Sequence, residues 1–191
     1  MINRLSNIIA FFFDKNKWIR SEEIEIYIYG CEVIIAGIIN ILIVIACGLY
    51  FKEFTYMIIF YFAFLLLRRY CGGYHADTYW KCILIFTGVV VFTTVLIKKY
   101  VFLGNSFVII SVIFSLIVMY CLSPLENENK QLTESEKKRY RKLSLEIALG
   151  LCIIAIILSF LKLKLSVTIS IALFSVSDAM IVEKIIRYGG E

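Results

Sequence analysis

Long apolar blocks separated by short polar stretches organise this chain, with little of the strict alternation that marks a half-buried strand. The blocks cover about 29–51, 54–67, 82–98, 101–122, 143–161 and 165–183. A helix crossing the hydrocarbon core of a bilayer needs about 20 mainly apolar residues. The pattern therefore predicts an all-α integral membrane protein with about six transmembrane helices. The second block has only 14 residues before Arg68. It reaches across by extending to Tyr70, by snorkelling its arginines, or as a partly re-entrant element. Ahead of the first block, Ile2, Leu5, Ile9, Phe12 and Phe13 recur near one helical face. This spacing predicts an N-terminal amphipathic helix over 2–14, lying in the membrane interface. The apolar run 8–13 is too short for a secretory signal and is followed by charges rather than a small-residue cleavage site.

The polar punctuation is informative in its turn. Pro124, the sole proline, ends the fourth block because it has no N–H to donate into a continuing helix. Thr133 and Glu136 then make the capping-box pattern that opens a charged helix, which runs through residues 137–142 into the fifth block. Its basic residues suit anchorage on anionic lipid, and equally a docking surface for an acidic peptide.

Composition agrees: 61% of the chain is apolar and the mean hydropathy is +0.85, against roughly 45–50% apolar residues in a soluble domain. The net charge of +5 is spread over the ends of apolar blocks, as membrane topology requires, so nucleic acid is not an expected partner. With six crossings, one side carries fifteen Lys and Arg residues and the other five. The positive-inside rule then puts both termini and residues 68–82 in the cytoplasm. The expected organisation is a single membrane-embedded domain over 1–191. Within it lie an amphipathic N-terminus at 1–28, a polar island at 68–82 and a basic loop at 123–142.

That island concentrates the chemistry. It holds His75, the only histidine, with Arg68, Arg69, Gly72, Gly73, Asp77 and two of the six cysteines, Cys71 and Cys82. A cysteine nucleophile works as thiolate and needs a base nearby. Any cysteine–histidine mechanism here must use His75, with Cys71 four residues before it or Cys82 seven residues after. On an unbroken helix, seven residues separate side chains by roughly 10.5 Å along the axis, too far for a hydrogen bond. Gly72-Gly73 argues against an unbroken helix. Asp77 can cap a helix starting at Thr78, which would leave His75 in a preceding loop and Cys82 near the positive end of the helix dipole. This arrangement favours Cys82 and leaves Cys71 open. The other cysteines, 31, 47, 121 and 152, lie in or at the ends of apolar blocks and show no disulfide or zinc spacing. No metal or other cofactor is implied.

The run Arg68-Arg69-Tyr70-Cys71-Gly72-Gly73-Tyr74-His75-Ala76, with a cysteine seven residues beyond the histidine, resembles the accessory gene regulator protein B family. Pro124 followed by Asn127, Asn129, Lys130 and a basic helix resembles that family's second cytoplasmic segment, and the length and six-span layout are similar. The resemblance implies a membrane cysteine endopeptidase of the bacterial cell membrane, with His75 and Cys82 as the catalytic pair. It places Cys71 where the family carries various small residues. It further implies a short propeptide substrate of the AgrD type, an acyl-thioester on Cys82, cyclisation to a thiolactone or lactone signal for quorum sensing, and a homodimer. A tetrahedral oxyanion needs donors. Gly72, Gly73 and Arg69 are candidates, as is Asp77 for orienting His75.

Asp178 lies inside the sixth block beside Ser175 and Ser177. An ionisable residue there is a functional candidate, to pair with an arginine, to line a substrate cavity or to reach water at the end of its span. Glu32 and Glu146 lie near span ends, where solvated or paired roles dominate. Two rival readings remain: a small transporter using Asp178, Glu32 and Glu146, and a metal sensor using Cys71, His75 and Cys82. The chain shows no internal repeats of the kind many transporters carry, and the sensor's ligand spacing is unusual.

Overall fold

The computed structural model describes residues 2–74, 76, 78–126, 132–161 and 163–188. Its elements are α1 (Ile2–Lys15), a 3-10 turn (Ser21–Glu23), α2 (Ile24–Tyr50), α3 (Phe54–Cys71), α4 (Tyr79–Lys98), α5 (Tyr100–Leu122), α6 (Glu134–Phe160) and α7 (Lys164–Tyr188). There is no strand among the described residues. Six stretches are long and apolar enough to cross a bilayer: Ser21–Tyr50, Phe54–Cys71, Tyr79–Lys98, Gly104–Leu122, Glu134–Phe160 and Lys164–Ile186. They make this a multi-pass membrane protein, with α1 as the additional N-terminal helix.

Helix limits depart from the apolar blocks where charges or glycine intervene. Arg68 and Arg69 form the last turn of α3 rather than ending it, which brings the short second span to 18 residues. The fourth span begins later than residue 101, because Gly104 takes φ 64 and interrupts the helix. The charged start and the apolar remainder of α6 are one 27-residue helix. Its capping box forms as the sequence predicts. Thr133 Oγ1 accepts from the Glu136 N–H at 3.3 Å, and the Glu136 carboxylate accepts from the Thr133 N–H at 2.9 Å.

The chain forms two compact units, one of residues 1–43 with 76–87 and one of 44–75 with 88–191. In the first, α1 buries Ile2, Ser6 and Ala10, spaced four apart, while Leu5, Ile8, Phe11 and Phe12 stay exposed. Ser6 donates to its own helix at the Ile2 carbonyl, so the inward strip carries no unmet hydroxyl. Phe12 and Phe13 lie at 5.7 and 5.6 Å from Trp18, and Phe13 meets Tyr27 edge-on at 6.5 Å, closing the turn into α2.

In the second unit α7 is the central element and packs against α3, α5 and α6. Over its most apolar 18 residues α7 is 61% buried, against 11% for the first span. Apolar attraction gives helices little reason to associate in lipid, so close approach and internal hydrogen bonding take over. α7 supplies both. Ser166, Thr168, Ser170 and Ser177 are buried, and their hydroxyls donate to the carbonyls of Leu163, Lys164, Ser166 and Leu173 within the helix and its entry turn.

At the start of α7, Lys164 Nζ meets Glu53 Oε1 at 2.5 Å and sits 4.9 Å from the centre of the Tyr56 ring. The two charged side chains are only 16% and 11% exposed. Removing one partner strands the other charge, so Lys164→Met or Glu53→Gln alone should cost about 3–5 kcal/mol. The double variant should recover much of that loss, as measured by thermal unfolding in detergent.

Candidate functional site

The backbone that follows α3 is shaped by Gly72 at φ 79 and Gly73 at φ 126, conformations that residues with a Cβ rarely adopt. The Gly72 N–H closes the helix on the Arg68 carbonyl at 3.1 Å. Space demands glycine as strongly as conformation does. A Cβ on Gly72 would overlap the Leu125 carbonyl oxygen, and one on Gly73 would meet the Arg68 guanidinium and lie 3.4 Å from the Ala179 Cβ. The next residue is held at both ends. Tyr74 N–H donates to the Ala179 carbonyl of α7 at 2.9 Å, and the Arg68 guanidinium donates to the Tyr74 carbonyl.

Cys71 is sealed beneath this loop. Its side chain is fully buried and hydrogen-bonded with Ser123, its carbonyl accepts from the Leu125 N–H at 2.9 Å, and the Ser123 hydroxyl meets that of Ser144 at 2.5 Å. Arg141 adds its guanidinium to the carbonyls of Ser123 and Tyr120, each at 3.2 Å. Cys71 therefore belongs to the seam joining α3, the 123–125 turn and α6. Arg69 points elsewhere: it is exposed and lies 5.8 Å from the Tyr70 ring centre, while Tyr70 packs edge-on against Tyr140 at 5.7 Å. Asp178 is half-buried on α7, one position before the carbonyl that holds Tyr74.

In the other unit, α4 starts at Tyr79, three residues before the expected apolar block. Thr78 stands at the cap position, its Oγ1 accepting from the Lys81 N–H at 3.4 Å. The cap thus falls one residue later than Asp77, because the helix starts one residue later. Cys82 is the fourth helical residue and half-buried, its N–H making the first helical bond to the Thr78 carbonyl at 3.1 Å. This is the electropositive end of the helix. One turn earlier, Tyr79 is hydrogen-bonded to Glu32 of α2, whose carboxylate also accepts from Asn3 of α1 at 2.8 Å. A carboxylate, a phenol and an amide thus stand together within the unit that carries Cys82. His75 and Asp77 lie outside the described residues.

The structure sets Gly73 against α7 and Gly72 against the Leu125 backbone, and places Asp178 beside the α7 contact, but does not bring Arg69 to it. Arg68 is the residue that braces the loop, and sequence reasoning assigned it no such part. The signal was its position four residues before Gly72, where a long side chain can fold over the helix end. The Tyr79–Glu32 link was missed as well; Tyr79 stands three residues before Cys82, on the same helical face. Glu146 is exposed and lies 3.8 Å from Lys142. Among the described residues, no group of three or more His, Cys, Asp or Glu side chains is placed to hold a metal ion.

A family model described as Accessory gene regulator B matches residues 6–182. An AgrB-like protein of Clostridium beijerinckii is 31% identical over 138 residues, covering 68% of this chain and 66% of that one. Two AgrB-like proteins of Clostridium perfringens, from strains 13 and SM101, are 30% and 32% identical over 138 residues, each match covering 69% of this chain and 64% of the relative. The chain thus spans slightly under two thirds of the length of these relatives. No solved structure matches it.

Gly72→Ala should cost about 1–3 kcal/mol for its backbone conformation alone, and more because the Leu125 carbonyl must move. The control is Gly30→Ala in α2, where nothing lies within 4 Å of the added carbon and the effect should be neutral or slightly stabilising. Melting temperatures in detergent separate the two.

Proposed function

The chain belongs to the accessory gene regulator B family, and from that premise we propose that it is a membrane cysteine endopeptidase. It cuts a short autoinducer propeptide of the AgrD type and promotes closure of the product into a thiolactone or lactone used in quorum sensing. The observation that carries this reading is the contrast between the two cysteines of the island. Cys71 is buried and hydrogen-bonded into a seam, whereas Cys82 is half-buried in the first turn of a helix. A nucleophile must be reachable by a peptide carbonyl, and Cys82 meets that condition.

In this reading His75 takes the proton from Cys82, and the thiolate attacks the scissile carbonyl. A C–S bond forms, the C–N bond breaks, and the imidazolium returns its proton to the departing amine. The N-terminal portion of the peptide remains as an acyl-thioester on Cys82. An internal thiol or hydroxyl of the peptide then attacks that thioester, closes the ring and releases the Cys82 thiol. Exchange of one thioester for another conserves bond type, so the competing reaction is hydrolysis. A site that excludes water favours the ring.

The Gly72 N–H is committed to the Arg68 carbonyl and Arg69 lies against the Tyr70 ring, so oxyanion stabilisation falls to the Gly73 N–H. Asp77 and Asp178 are the carboxylates proposed to orient His75 or to contact the peptide. The fifteen-to-five distribution of basic residues supports a cytoplasmic location for both termini and the site in a bacterial cell membrane. The exposed apolar face of α2, with Ile34, Ile38 and Leu42, is open to lipid and to a second copy in a homodimer.

In vesicles containing the full chain and its propeptide, Cys82→Ala and His75→Ala should each abolish cleavage, while Cys71→Ser retains it. Mass spectrometry should find the acyl adduct on Cys82. An active Cys82→Ala protein with a dead Cys71→Ser protein would reverse the assignment.

A further inference from the structure

The first turn of α4 carries Cys82, and a helix end frays unless something outside its own ladder ties it down. The Cys82 N–H makes the first helical bond, to the Thr78 carbonyl. The Lys81 N–H reaches the Thr78 hydroxyl only at the long distance of 3.4 Å. Backbone bonding alone therefore holds this turn lightly.

Tyr79 supplies a tie. Tyr79, Cys82, Ile83 and Phe86 recur at helical spacing and are half-buried or buried, whereas Trp80, Lys81, Leu84 and Ile85 are exposed. On this covered face the Tyr79 hydroxyl donates to the Glu32 carboxylate of α2, and Tyr79 stands within electrostatic reach of Cys82 as well. Glu32 is held in its turn. It lies in the first span beside Val33 and Ile34, which face outward, and a carboxylate among apolar neighbours needs donors. Asn3 Nδ2 donates to Glu32 Oε1 at 2.8 Å, while Asn3 Oδ1 accepts from Asn7 Nδ2 at 3.0 Å. Side chains of α1, α2 and α4 thus form one hydrogen-bonded chain, Asn7–Asn3–Glu32–Tyr79, which ends one helical turn before Cys82.

We propose that Glu32 and Tyr79 are positioning residues for the reaction at Cys82: the carboxylate anchors the phenol, and the phenol fixes the first turn of α4 and with it the thiol. This rests on the endopeptidase reading given above. It gives α2, which carries neither member of the reacting pair, a part in the chemistry without contact with the peptide. What the anchor requires at position 32 is a hydrogen-bond acceptor rather than a charge.

The test uses the full chain in vesicles with its propeptide. Tyr79→Phe removes one hydroxyl and leaves the ring. It should lower kcat by about 100-fold, the loss expected from a small misplacement, with KM little changed. Without substrate it should slow alkylation of Cys82 by iodoacetamide, read by mass spectrometry, to the level of His75→Ala. Glu32→Leu should lower kcat as Tyr79→Phe does. Glu32→Gln should restore a large part of that loss, since its amide oxygen still accepts the hydroxyl. The double variant Tyr79→Phe/Glu32→Leu should be no slower than the slower single variant, because the two act as one unit. Gel filtration of each variant shows that it is folded. A lowered melting temperature with wild-type kcat in Tyr79→Phe makes the bond a structural one and overturns this inference alone. So does a Glu32→Gln protein as slow as Glu32→Leu, and so do single effects that multiply in the double variant. Undiminished cleavage by His75→Ala overturns the cysteine–histidine reading and this inference with it.

Discussion

Every backbone N–H and C=O that leaves a helix in an apolar surrounding must find a partner within the protein, since an unmet one costs several kcal/mol in hydrocarbon. The break after α3 meets that constraint with little to spare. Four residues, Cys71 to Tyr74, make the turn, and four of their backbone groups are met by three separate elements. The Arg68 carbonyl takes the Gly72 N–H, α7 takes the Tyr74 N–H, the 123–125 turn supplies an N–H to Cys71, and the Arg68 side chain covers the Tyr74 carbonyl. The irregular segment that leads to His75 is thus specified by hydrogen bonds rather than left to loop entropy.

Much of the second unit follows from serving that turn. α7 must come close enough for its Ala179 carbonyl to be reached, and a small residue at 179 with hydroxyls bonded back to their own helix permits the approach. The 123–125 turn must present the Leu125 backbone, and it is held by Ser123 to Ser144 and by Arg141 of α6. Cys71 is drawn into this packing and buried, although it stands nearer to the histidine in sequence than Cys82. Order in the turn and burial of Cys71 are two results of one arrangement.

The helices were legible because apolar periodicity survives sequence noise over 20 residues, and the α6 start was legible because Thr133 and Glu136 carry a local capping mechanism. The run of α3 through Arg68 and Arg69 is one of the readings the sequence leaves open, and the helix takes it, since a long side chain can leave an apolar helix and find a carbonyl three residues beyond its end. Gly104 looks like an ordinary member of an apolar block, yet it breaks the helix. The burial of Cys71 depends on Ser123 and Leu125, about fifty residues away.

The first unit answers the same constraint with side chains. Glu32 lies within a span, where a carboxylate needs donors, and it has two: the Tyr79 hydroxyl and the Asn3 amide. One donor comes from the helix turn that carries Cys82, and the other from α1, whose outer face shows Leu5, Ile8, Phe11 and Phe12. An apolar face of that kind is stable only against an apolar surrounding. The depth at which α1 sits therefore decides whether Asn3 can reach Glu32, and Glu32 in turn fixes Tyr79. α1 is connected by two hydrogen bonds to the turn holding the proposed nucleophile. Asn3, at the start of this chain, thus helps to hold the helix turn that carries Cys82.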